Sequence, residues 1–125
     1  MVQKLVWLAL AGAMGTLARY GLAGFVHRIN GASFPWGTLA VNVLGCFLAG
    51  LVWALFENRW MVSGETRVIV LVGFMGAFTT FSAFILETDE LVRSAEWMYA
   101  AANMAMQVGL GFVAFMVGAA LGSLK

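Results

Sequence analysis

Apolar residues fill four long stretches of the chain, approximately 5–26, 37–56, 68–90 and 97–124, separated by short polar or aromatic connections. Crossing a bilayer takes roughly 20 mostly apolar residues in a helix, and four such stretches fit here. The pattern predicts an all-α membrane protein with four transmembrane helices, 1–125 forming one domain with no soluble domain left over. Phe34-Pro35-Trp36 punctuates the entry to the second stretch. Proline is favoured at a helix start because its missing N–H would have been unpaired there anyway. The acidic cluster Glu87, Asp89 and Glu90 closes the third stretch. The first is too long for a secretory h-region and has no clear small-residue cleavage site after it, so it reads as a retained span.

The third stretch departs from an ordinary membrane helix. Its run Gly73-Phe74-Met75-Gly76-Ala77-Phe78-Thr79-Thr80 is rich in glycine and hydroxyls. A spanning helix is interrupted only where its freed backbone groups are buried in protein or line a polar cavity. The run therefore predicts a broken third helix and an ion or solute site near the bilayer midplane. Phe81 and Phe84 follow the run, about one turn apart. Packing or lipid contact is the ordinary role of phenylalanine in a membrane helix, and only the position beside the break sets these two apart. The edge of a phenyl ring carries partial positive charge, so it attracts a small anion without holding it as a full cation would. Thr79, Thr80 and Ser82 supply hydroxyls, and the carbonyls freed around residues 76–79 suit a small cation.

Two further stripes carry polar groups that hydrocarbon does not tolerate unpaired. Thr38 and Asn42 share a face of the second span with Gly45 and Ala49. Asn103 and Gln107 repeat the same spacing in the fourth span, continued by Gly111. Either face is bonded to another helix or lines a pore. The amides donate through NH₂, and neither stripe contains a carboxylate, which suits an anion better than a cation. Arg19, late in the first span, has two compatible readings: snorkelling to the headgroups, or an electropositive vestibule. Glu87 reads as a solvated helix end that could also orient polar groups at the pore end, and His27 as a surface residue of the first loop. The small residues Ala11, Gly12, Gly15 and Ala18, and the pair Gly118 and Gly122, suit close helix approach.

Composition agrees. The chain is 62% hydrophobic and 10% charged, whereas a soluble domain carries about 25% charged residues. A net charge of +1 argues against nucleic acid as a partner. Cys46 is alone, so no intrachain disulfide or cysteine metal cluster is available, and it reads as a small buried hydrophobe. The eight methionines read as packing. No phosphate loop, zinc spacing or nucleophile-base pair occurs, so the chain is not expected to be an enzyme. Trp7, Trp36, Trp53, Trp60 and Trp97 fall mostly near span ends, where aromatic belts sit against lipid headgroups.

With four spans, Lys4, Arg59, Arg67 and Lys125 share one side of the membrane, opposite Arg28, Arg93 and the nearby Arg19. So small a charge bias fits insertion in either direction, and equally a short chain with few charges. Four short helices enclose too little interior for a conduction path, which points to a dimer. Opposed insertion would make it an inverted pair of the kind transporters build from repeats.

Taken together, Gly12-x-x-Gly15-x-x-x-Arg19, Pro35-Trp36-Gly37-Thr38-Leu39-x-Val41-Asn42 and Gly73-Phe74-x-Gly76-x-x-Thr79-Thr80-Phe81-Ser82-x-Phe84 resemble the Fluc (CrcB-type) fluoride channels. The resemblance covers nearly the whole chain. It implies a multi-pass protein of the cell (inner) membrane, an antiparallel, dual-topology dimer with two pores that export fluoride passively. It implies that Phe81 and Phe84 form the aromatic ladder, that Asn42 donates to the ion, and that Thr38, Thr80 and Ser82 add to a polar track. Asn103 and Gln107 fall where the family lines its pore from the fourth span, and Arg19 falls in the vestibule. Gly76 and Thr79 would offer backbone carbonyls to a structural sodium ion on the dimer axis. Ala83 and Ile85 stand where the usual pattern carries hydroxyls. Both phenylalanines are present, which favours a homodimer.

The runner-up is a proton-coupled exporter of the small multidrug type, also short and four-spanning. That chemistry needs a membrane-embedded carboxylate, and the first span has none. A third reading is a non-transporting assembly subunit whose polar stripes only join helices.

Overall fold

The computed structural model describes residues 1–59 and 61–124. Trp60 and Lys125, assigned above to an aromatic belt and to the positive charges on one side of the membrane, lie outside the described residues. The described elements are all helical: α1 (Val2–Asn30), α2 (Trp36–Asn58), α3 (Gly64–Arg67), a π-helical segment (Val68–Met75), α4 (Gly76–Phe78), α5 (Phe81–Arg93) and α6 (Trp97–Ser123). Among the described residues, four stretches are long and apolar enough to cross a membrane: Val2–Asn30, Trp36–Asn58, Gly64–Arg93 and Trp97–Ser123.

The first helix outruns its expected bounds at both ends. It stops where Gly31 takes φ 76°, a conformation glycine reaches without a Cβ penalty, with its N–H on the His27 carbonyl at 2.9 Å. The third stretch also starts early. Ser63 caps it, its hydroxyl accepting from the Thr66 N–H at 3.1 Å.

Close helix approach organises the packing. The most extensive contact joins α2 to α6. A Cβ on Gly118 would collide with the Phe47 carbonyl, and one on Gly122 would lie 2.6 Å from the Leu51 carbonyl. Gly50 faces the Phe115 carbonyl from the α2 side in the same way. Elsewhere, α1 rests on the π segment and α4 through its own small residues. Gly15 abuts the Phe74 carbonyl, and the site of a Cβ on Gly73 is 3.1 Å from the Ala11 methyl. Without a hydrophobic force between helices in lipid, such backbone approach is what holds them together.

The third stretch changes geometry twice. Over Val68–Met75 the helix is π-wound, a form that favours functional positions. The Gly76 N–H accordingly reaches the Leu71 carbonyl, five residues back, as well as that of Gly73. Thr79 (φ −82°, ψ 161°) and Thr80 (φ −149°, ψ 117°) are then extended, and α5 starts at Phe81. Thr79 directs both its N–H and its hydroxyl to the Met75 carbonyl, each at 3.0 Å, while the Thr80 hydroxyl caps α5 by accepting from the Ala83 N–H at 3.2 Å.

Candidate functional site

Thr79 keeps a helix-type N–H bond to the Met75 carbonyl, but Thr80 needs hydrogen-bond partners that a helix would have supplied. Asn42 of α2 provides them for Thr80: its Oδ1 accepts from the Thr80 N–H at 2.7 Å, and its Nδ2 donates to the Thr80 carbonyl at 2.9 Å. The side-chain amide thus substitutes for a neighbouring peptide unit. Because the Thr80 N–H can only donate, it fixes which end of the Asn42 amide is oxygen. Nδ2 also donates to Gln107 Oε1 at 3.0 Å, so both amide hydrogens are engaged. Thr80's N–H, taken by Asn42, is withheld from the Gly76 carbonyl four residues back.

A cleft of about 240 Å³ opens beside this junction, bounded by Asn42, Thr79, Thr80, Phe81, Phe84 and Gln107, with Cys46 and Val108 completing it. No charged side chain among the described residues lines it. Phe84 is buried, whereas Phe81 is 73% exposed on the single chain. Their ring centroids lie 5.5 Å apart at an interplanar angle of 70°, an edge-to-face pair. A Cβ on Gly45 would strike the Thr79 methyl, so glycine is what lets α2 come this close to the junction.

Behind the cleft, the amides continue into the protein. Gln107 Nε2 donates to Asn103 Oδ1 at 3.4 Å, Asn103 Nδ2 to the Thr88 hydroxyl at 2.9 Å, and Thr88 to the Phe84 carbonyl at 2.7 Å. Asn103 is fully buried.

On its other side Thr80 faces a second cleft, of about 270 Å³, shared with Arg19 and Thr38. Arg19 is half-buried and has no ion-pair partner among the described residues. The Thr38 hydroxyl donates to Glu87 Oε1 at 2.7 Å. Glu87 Oε2 is buried without a hydrogen-bond partner among the described residues, at the wall of a third cleft that His27 also lines.

Residues 6–119 match the family described as CrcB-like protein, Camphor Resistance (CrcB). The chain belongs to the CrcB family. It is 64% identical over 124 residues, 99% of each chain, to a protein of Desulforapulum autotrophicum named fluoride-specific ion channel FluC. Proteins with the same name from Nitrosococcus oceani (57% over 118 residues, 94% of each chain) and Solidesulfovibrio magneticus (52% over 124 residues, 99% of each) are similar to it. With its four span-length helices, this CrcB chain is a multi-pass membrane protein.

Within the CrcB chain, the structure brings Asn42, Thr79, Thr80, Phe81, Phe84 and Gln107 around one cleft, and Arg19, Thr38 and Thr80 around its neighbour. Ser82 is exposed and lines neither, its hydroxyl 3.5 Å from that of Thr80. Asn103 reaches the cleft only through Gln107. Gly76 is exposed, and a Cβ there would meet only the Leu71 carbonyl, at 3.9 Å. Cys46 is half-buried in the cleft wall, not buried as expected, because it lies one turn beyond Asn42 on the same face. Thr88 was missed altogether. Its four-residue spacing from Phe84, and Phe84's from Thr80, is the signal that could have found it.

Proposed function

We propose that this chain is a fluoride-selective channel, not an enzyme, and that it lets fluoride leave the cell passively across the inner membrane. The observation that carries the reading is the uncharged cleft in which two phenyl rings, two amides and the Thr79–Thr80 junction converge. The relatives' shared name supports the choice of ion.

Fluoride is small and holds its water tightly, so a pore must offer several donors in its place. Phe81 and Phe84 present positive ring edges along the path. Asn42 donates to the ion, which as an anion competes for a hydrogen now given to the neutral Thr80 carbonyl or Gln107 Oε1. Thr80, Ser82 and Thr38 extend the polar track, with Gln107 forming its α6 wall and Asn103 backing it. Arg19 gathers anions at the approach. No charged side chain among the described residues lines the cleft to oppose release, which conduction requires.

The third span works as a broken helix, and the functional unit is an antiparallel homodimer with two pores. Support for the dimer comes from Phe81, which stands on the outside of a single chain beside a cleft that one copy leaves open. A structural sodium ion fits the junction as a cofactor. Gly76 and Thr79 offer neutral carbonyl oxygens, the oxygen type hard cations take, and Gly76 is open to approach. Bound there, the ion would hold the freed carbonyls of two copies together.

The test is fluoride-electrode recording of efflux from liposomes containing purified protein, with chloride as control. Fluoride release without chloride release supports the reading, and silence towards both overturns it.

A further inference from the structure

One chain of hydrogen bonds runs from the cleft into the protein in a single direction. Starting at the Thr80 N–H, donors pass through Asn42, Gln107, Asn103 and Thr88 and end on the Phe84 carbonyl. The two ends are backbone groups that cannot reverse: a peptide N–H only donates and a carbonyl only accepts. They therefore fix the orientation of every amide between them. Aligned chains of this kind polarise and strengthen one another.

What lies between the two ends is the turn of α5 that carries Phe81 and Phe84. The chain of bonds leaves the backbone just before Phe81 and returns to it at Phe84, passing through α2 and α6 on the way. Thr88 is buried, Asn103 fully so, and neither lines the cleft.

We infer that Thr88 and Asn103 are positioning residues that set fluoride selectivity through a one-way relay, which holds the Phe81–Phe84 turn and the Asn42 amide in register. This rests on the fluoride-channel reading. Gln107 is the link that meets the cleft, and Thr88 is the link that can be altered without touching it. Thr88→Val removes the hydroxyl while keeping shape, which breaks the chain at its last two bonds. Thr88→Ser keeps it.

The experiment compares fluoride and chloride efflux from liposomes holding the parent, Thr88→Val, Thr88→Ser, Gln107→Met, or Thr88→Val with Gln107→Met, each first checked for intact assembly by gel filtration. Thr88→Val is expected to lower the fluoride-over-chloride preference about tenfold, Thr88→Ser to match the parent, and the double variant to fall no further than Gln107→Met alone. Parental selectivity in Thr88→Val, or effects of the two substitutions that multiply, would overturn the relay. Hydrogen exchange at the Asn42 side-chain amide, read by NMR in micelles, needs no conduction. The relay predicts faster exchange in Thr88→Val, and an unchanged rate contradicts it. A parent that does not conduct fluoride defeats the channel reading and leaves the exchange measurement to decide the relay.

Discussion

Asn42 engages both backbone groups of Thr80, accepting from its N–H at 2.7 Å and donating to its carbonyl at 2.9 Å. One side-chain amide on α2 thus satisfies the place where α4 has ended and α5 has not begun. In hydrocarbon these groups would otherwise cost several kcal/mol. The same amide faces the cleft, so the proposed ion donor is also the brace.

Asn42→Ala removes both bonds and leaves two part-buried backbone groups without their partner. A loss of about 2–4 kcal/mol in stability is expected, together with loss of fluoride efflux. Asn42→Asp keeps the bond from the Thr80 N–H but sets a carboxylate against the Thr80 carbonyl and Gln107 Oε1. It is expected to fold less stably than the parent and to exclude anions. Thermal unfolding in detergent and liposome efflux check both variants.

Gly118→Val tests the α2–α6 crossing independently of the site. Any Cβ there meets the Phe47 carbonyl, a backbone atom that cannot turn aside. Overpacking of this sort costs about 1–3 kcal/mol or more. Loss of a monodisperse gel-filtration peak is expected, whereas Gly109→Ala, at a glycine with open space around it, leaves the peak unchanged.

The spans were legible because bilayer length and hydropathy act locally, residue by residue. Thr38 and Asn42, and Asn103 and Gln107, were legible as stripes because helical spacing puts them on one face. Which groups those stripes meet depends on how α2, α5 and α6 pack, and that is not written in either stripe. The Asn42 amide was expected to face the ion, and its bonds to Thr80 and Gln107 emerge only with the fold. Thr88 was hidden among Glu87, Asp89 and Glu90, whose charge made the whole end look solvated. The π-winding of Val68–Met75 had no signal, since an apolar run accepts either hydrogen-bond register. The far end of α1 had one, in Gly31, that was not used.

Glu87 distinguishes a channel from the proton-coupled alternative. It is the carboxylate joined to Thr38, and its second oxygen is buried without a hydrogen-bond partner among the described residues. Intramembrane carboxylates serve proton relays in many transporters. Passive conduction predicts fluoride efflux that follows the fluoride gradient at equal pH and is unaltered in kind by Glu87→Gln, which still offers Thr38 an acceptor. Efflux that required a pH gradient and vanished in Glu87→Gln would return the exporter reading.

Phe84 is buried and Phe81 is not, so their replacement should separate stability from conduction. Phe84→Ile is expected to cost about 1 kcal/mol through lost packing, and Phe81→Ile little in the single chain.

The aromatic ladder is the central claim, and fluoride efflux from liposomes bearing the parent, Phe81→Ile or Phe84→Ile tests it most directly. The account predicts rapid release from the parent and none from either variant, with all three assembling alike. Release from both variants at the parent's rate would contradict it.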